Sequence, residues 1–278
     1  VPTLADVVRE LESTYDPRWA ESWDAVGLVC GDPSSEVRRV LFAVDPVAAV
    51  ADEALHWGAD LIVTHHPLYL RGTTSVAATT FKGRLVHTLI KNDVGLFTAH
   101  TNADVADPGV SDALAHAVGL TGSLTPLLPS ADDPRRGLGR VGSLAAPLSL
   151  REFARQAARG LPGTAGGLRV AGDLDREVRR VAVSGGSGDS LLGTARAAGV
   201  DVFLTADLRH HPASEFMEAP DGPALIDAAH WATEWPWLAE AARRLASGLA
   251  GKGITVETRV SETVTDAWKT TAECEDLK

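Results

Sequence analysis

The 278 residues are 45% apolar and 23% charged, the balance of a globular chain long enough to bury one large core or two ordinary ones. A formal charge of −11 leaves no basic footprint for nucleic acid or an anionic membrane surface, and nowhere do about 18 apolar residues run together as a membrane span requires. Cys30 and Cys274 stand far apart, outside any metal or redox spacing, and Val1-Pro-Thr-Leu opens without a basic-then-apolar leader, so a reducing, cytoplasmic setting is expected.

Leu4, Val7, Val8 and Leu11 repeat at helical spacing behind Thr3, which predicts a short amphipathic helix capped by that threonine. A loop with Trp19 and Trp23, both assigned to packing, leads to a strand at 26–30 closed by Gly31. Residues 37–44 predict a second strand ended by Asp45-Pro46, residues 47–57 a helix, and Leu61-Ile-Val-Thr64 a buried strand. Strand, helix and strand at this spacing form a βαβ unit with parallel pairing. The last of them runs into His65-His66-Pro67. Pro67 cannot donate to a ladder, so the two imidazoles fall at a strand's carboxyl end, where open α/β sheets bind ligands. Taken alone, the doublet fits a plain turn equally well.

A Thr/Ser/Gly-rich loop at 70–80 and a helix at 81–92 precede another apolar strand, 94–99, which delivers His100-Thr-Asn-Ala-Asp104 to the same edge. Asp104 reads as an anionic oxygen donor, or as a cap or Asx-turn residue ahead of a helix at 111–118. Residues 121–142, with Pro126, Pro129 and Pro134 among glycines, show little periodicity and predict a domain boundary. A strand at 139–145, a helix at 149–158 with Ser149 and Glu152 as a capping box, and strands at 167–171 and 178–183 follow. Ser184-Gly-Gly-Ser-Gly-Asp-Ser190 reads as a tight turn into a helix at 191–198; a phosphate loop would need the Walker lysine or GxGxxG spacing. A strand at 201–205 enters Ala206-Asp-Leu-Arg-His210-His211-Pro212, an echo of the first doublet. The strand from Ala224 finishes in His230, the next helix carries Glu234, and a last strand is expected at 254–260.

His65, His66, Asp104, His230 and Glu234 thus stand at strand ends or just past them. Three imidazoles with two carboxylates suit Zn, Mn or Fe, and because consecutive side chains diverge, the doublet is best shared between two ions. His100, His210 and His211 are left as ring orienters or proton carriers, with His100 and His211 the candidate catalytic residues. Arg71, Lys82 and Arg84 could meet phosphate but read first as solvated charge, and His56, His87 and His116 fall within helices.

Trp23-Asp-Ala-Val-Gly-Leu-Val-Cys-Gly-Asp32, Thr64-His-His-Pro67, His100-Thr-Asn-Ala-Asp104, Thr205-Ala-Asp-Leu-Arg-His-His211 and the His230 to Glu234 pair resemble, in order, the motifs of the GTP cyclohydrolase 1 type 2-like family, also called NGG-one-interacting-factor-three-like or dinuclear-metal-centre hexameric proteins. Ala25 and Ala206 depart from the asparagine and glycine common there. The resemblance implies two metal ions per subunit on residues matching His65, His66, Asp104, His230 and Glu234. It also implies two α/β lobes with mixed, largely parallel sheets, 1–125 plus 226–278 and 126–225, the first completed by the C-terminal segment and without a further inserted domain. A homohexamer acting on a small molecule, a nucleotide among the candidates, is expected. Two activities follow: hydrolysis by metal-activated water, as GTP ring opening or phosphoester cleavage, or non-catalytic metal binding, storage or regulation.

Overall fold

The computed structural model describes residues 1–219 and 221–272; Cys274 lies outside the described residues. The chain divides into two α/β units, Val1–Ala106 with Leu238–Thr265, and Asp107–Trp237 with the described residues from Asp266 on.

In the first unit, α1 (Leu4–Thr14) starts at a reciprocal cap: Thr3 Oγ1 accepts from the Asp6 N–H while the Asp6 carboxylate accepts from the Thr3 N–H. Then come β1 (Gly27–Cys30), β2 (Arg39–Ala43), α2 (Ala48–Trp57), β3 (Leu61–Thr64), α3 (Phe81–Lys91), β4 (Gly95–Thr98) and α4 (Thr101–Asp104). The second unit holds α5 (Val110–Ala117), β5 (Thr121–Pro129), β6 (Gly137–Ser149), α6 (Leu150–Gly160), β7 (Arg169–Ala171), β8 (Glu177–Ser187), α7 (Leu192–Ala197), β9 (Val202–Ala206), α8 (His210–Met217) and β10 (Ala224–Ala228). It also holds the start of α9 (His230–Ala250), whose residues from Leu238 belong to the first unit, as does β11 (Glu257–Val260).

The first sheet has the order β1-β4-β3-β2-β11 and is parallel except where β1 joins β4. The C-terminal strand β11 therefore completes the first unit, as expected. Every residue of β3 is buried, and Ile62 packs with Leu41, Leu96, Val50 and Ala54 of α2, and Leu85 and Leu89 of α3. Each such aliphatic side chain withdrawn from water stabilises the unit by about 1.5–3 kcal/mol before entropy is counted.

The second sheet, β5-β6-β8-β9-β10-β7, is parallel only through β8, β9 and β10. Its central strands alternate between two cores, as a pleated strand buried on both faces must. Val181, Val183, Val202, Leu204 and Ile226 pack with Leu114 of α5 and Phe153 of α6, whereas Ala182, Phe203 and Leu225 pack with Ala195 of α7 and Phe216 of α8.

Residues 121–142 are not a linker. They form β5 and the first part of β6, residues 137–142, paired antiparallel. Prolines at 126 and 129 are tolerated because β5 is an edge strand, where a missing N–H breaks no ladder on its outer side. Gly142 leaves room for a neighbour: a Cβ there would lie 2.6 Å from Leu124 Cδ2. The units accordingly meet the chain at 106/107 and 237/238 rather than near 125 and 226, since α5 packs on β6 and β8, and β10 pairs with β9 and β7. β8 likewise runs through the glycine-rich stretch to Ser187 instead of stopping at Val183.

Candidate metal centre

Parallel pairing of β2, β3 and β4, with Ala43 opposite Thr64 and Thr64 opposite Thr98, sets their carboxyl ends side by side. The residues just beyond those ends are Asp45, His65 with His66, and His100. The doublet keeps the strand's bonding for two more steps, His65 N–H to Ala43 O and His66 N–H to Val44 O, before Pro67 ends it. Both rings are then fixed from behind. Buried His65 donates from Nδ1 to Ala99 O at 2.9 Å, and His66 Nδ1 meets Asp45 Oδ1 at 2.7 Å. Thr265 Oγ1 in turn donates to the other oxygen of Asp45.

His100 is held more elaborately. Its Nδ1 donates to Asp24 Oδ1 at 2.8 Å, and Asp24 Oδ2 accepts from the Thr101 N–H at 3.0 Å and the Thr101 hydroxyl at 2.5 Å. Burial pushes the Asp24 carboxyl up, but the hydrogen bonds from His100 and Thr101 outweigh it and hold the group well below the ordinary carboxylate range. Asn102 accepts from the His100 N–H and donates to Tyr15 O, tying the short α4 to the rest of the unit. At the end of α4, Asp104 places Oδ1 3.6 Å from His65 Nε2. The donor atoms of His65, His66 and His100 all lie within 4.8 Å of one another. His100 thus joins the doublet as a potential ligand, whereas the sequence suggests a proton carrier. Trp23, 57% exposed, stands edge-on to its ring at 6.1 Å and is not core packing.

The second unit repeats the logic with other residues. Parallel β9 and β10 end together, Thr205 opposite Asp227 and Ala206 opposite Ala228. Asp207, just past β9 with φ +56°, meets His230 Nδ1 at 2.7 Å, and His230 Nε2 lies 2.9 Å from Glu234 Oε1 one helical turn on. Glu234 is buried. Gly186, φ +67°, passes so close that a Cβ would sit 2.7 Å from Glu234 Oε1 and 3.2 Å from His230 Nε2. Its N–H donates to Thr233 Oγ1 and its carbonyl accepts from the Thr205 hydroxyl. The glycine-rich stretch is a close backbone approach to ligand-type side chains, not a phosphate loop.

His211 is placed elsewhere. It is exposed on α8 beside His210, ring centroids 5.2 Å apart, and belongs to no group of three or more donor atoms among the described residues. His56, His87 and His116 lie exposed on helices. Sequence reasoning missed Asp24, Asp45 and Asp207 as ring anchors. The available signal was that Asp45 and Asp207 follow their strands almost at once, as ligand-edge residues do. Imidazole and carboxylate donors in this proportion fit a first-row divalent cation, and anchoring at Nδ1 presents Nε2 as the coordinating nitrogen.

The Duf34/NIF3 (NGG1p interacting factor 3) family model matches residues 2–267. This chain belongs to that family. It is 61% identical to a Streptomyces coelicolor protein named "GTP cyclohydrolase 1 type 2 homolog", over 96% of this chain and 94% of that one. A Staphylococcus aureus hypothetical protein of known crystal structure is 28% identical, with TM-score 0.89 over 98% of this chain and 100% of its own. A Bacillus cereus protein related to NIF3, 24% identical with TM-score 0.89 over 98% and 100%, shares the fold. The Duf34/NIF3 assignment agrees with the motif resemblance on which the two-lobed α/β expectation rested. No helix among the described residues is long and apolar enough to cross a membrane.

Proposed function

We propose that His65, His66, His100 and Asp104, with His230 and Glu234, hold two divalent cations per subunit, of the zinc, manganese or iron kind, and that the protein is a hydrolase. One observation carries this reading. Four histidines, His65, His66, His100 and His230, each commit Nδ1 to an oxygen acceptor, and three of the four acceptors are aspartates drawn from distant positions. Packing alone calls for no such arrangement; orienting Nε2 toward a cation does.

Asp24, Asp45 and Asp207 lock ring orientation and tautomer and raise the basicity of the opposite nitrogen. Asp104 and Glu234 contribute anionic oxygens, the buried Glu234 being kept in place by the Gly186 backbone that leaves it room. When bound, the cations would supply Lewis-acid polarisation and lower the pKa of a coordinated water. The relatives' name makes GTP ring opening the first reaction to assay, and phosphoester cleavage the second. The setting we assign is a cytoplasmic homohexamer, supported by the acidic composition and the family resemblance.

The test is elemental analysis of dialysed protein together with turnover of GTP and of p-nitrophenyl phosphoesters by wild type and Asp104→Ala. Two equivalents of metal and turnover that vanishes in the variant support the reading. Retained metal with no turnover on any substrate leaves a metal-binding or regulatory protein, and protein that retains no metal refutes both.

A further inference from the structure

Beyond β11 the chain keeps a strand's alternation although it leaves the sheet. Ser261 donates its N–H to Phe42 O at 2.8 Å, one step past the last pair of the two strands, Val260 opposite Phe42. Ser261 is buried and Thr263 and Thr265 are half-buried, while Glu262 and Val264 between them are exposed. The three inward hydroxyls all reach carboxylates of the first unit. Ser261 Oγ and Thr263 Oγ1 both donate to Glu53 Oε2 of α2, at 2.5 and 2.8 Å, and Thr265 Oγ1 donates to Asp45 Oδ2. The other oxygen of Asp45 accepts from His66 Nδ1. A carboxylate bonded through one oxygen swings easily about its last torsion, and a bond on the second oxygen removes that freedom. Asp24 takes its second set of bonds from Thr101, the neighbour of the ring it anchors, whereas Asp45 takes its own from a residue 220 positions away.

We infer that Thr265 is a positioning residue for His66, acting through Asp45, and that residues 261–265 form a strap that seats it. Two hydroxyls fasten the strap to Glu53, so the third arrives at Asp45 already placed. With Oδ2 occupied by Thr265, Asp45 turns Oδ1 to the ring and selects the His66 tautomer that carries its hydrogen on Nδ1 and its lone pair on Nε2. The orientation of a ring beside the amino-terminal strands thus depends on the seating of the chain's carboxyl-terminal segment. The inference rests on the proposed metal reading only for what Nε2 meets; orienting the ring requires no cation.

Two measurements on the full chain test it. One is zinc affinity by competition with a chromogenic chelator; the other is long-range proton–nitrogen NMR correlation of the His66 ring in chelator-treated protein, at a pH well above the ordinary imidazole range. Thr265→Val keeps the side chain's shape and removes its hydroxyl; it lowers zinc affinity about three- to tenfold and turns the single His66 tautomer of wild type into a mixture. Thr265→Ser returns the single tautomer and brings affinity within about twofold of wild type. In an Asp45→Ala background Thr265→Val changes neither readout further, because the hydroxyl acts through that carboxylate. A single tautomer in Thr265→Val overturns the inference, and so does an equal further loss of affinity in the Asp45→Ala background, which marks plain destabilisation. Protein that binds no zinc yet shows the tautomer change overturns the metal reading and leaves the strap standing; protein that binds zinc with the tautomer unchanged does the reverse.

Discussion

The chain contains His-His-Pro twice, at 65–67 and at 210–212, and the structure gives the two copies opposite fates. The first follows β3 with no intervening residue, so its backbone stays on the strand's ladder and both rings meet an acceptor at Nδ1. The second is separated from β9 by Asp207, Leu208 and Arg209 and falls in the first turn of α8, with both side chains exposed. In the second unit the anchored imidazole is His230, after β10, and the residue directly after β9 is its anchor, Asp207. A histidine becomes a ligand candidate here by its distance from a parallel strand's carboxyl end and by an oxygen acceptor behind its Nδ1, not by its neighbours in sequence.

The sharpest way to break this contrast is to remove one ring from each doublet. His66→Ala should lose most of its metal on dialysis, and His211→Ala should retain wild-type content, both read by elemental analysis. Equal loss in the two variants would erase the distinction. Anchors come next: Asp45→Asn and Asp207→Asn keep every ligand but should weaken metal affinity about 10- to 100-fold, measured by competition with a chromogenic chelator. Gly186→Ala forces a Cβ toward Glu234 and His230 at a left-handed φ, and should cost more than about 1 kcal/mol in urea denaturation, together with lowered metal content. Chelation of wild type should lower stability by an amount that grows with metal occupancy, about 2.7 kcal/mol where free metal stands at 100 times its Kd, and should leave His66→Ala almost unmoved.

Much of this was legible in the residues because burial leaves a period. Leu61-Ile-Val-Thr64 and the polar pair after it mark a strand and its end without any knowledge of partners, and Thr3 and Ser149 announce their helices through reciprocal caps. The edge strand β5 was not legible, since Pro126 and Pro129 are what a turn also contains; only its position at the sheet's rim makes them compatible with pairing. The joining of α5 and β10 to the second sheet was hidden for the same reason: a boundary at 121–142, paired with one near 226, assigns α5 to the first lobe and cuts through β10. The anchoring aspartates are a different case. Asp24 is 76 residues from His100 and Asp207 is 23 from His230, and no local pattern couples positions that meet only once the sheet is built. Asp104, whose sequence context allowed a helix cap, is settled near His65 by the short turn of α4.

One feature also bears on how the molecule is made. β11 lies alongside β2, yet the other strands of its sheet are all complete by Thr98. On the ribosome the amino-terminal sheet must therefore wait with an open flank while the whole of the second sheet is synthesised, and the unit that begins first is the last to close.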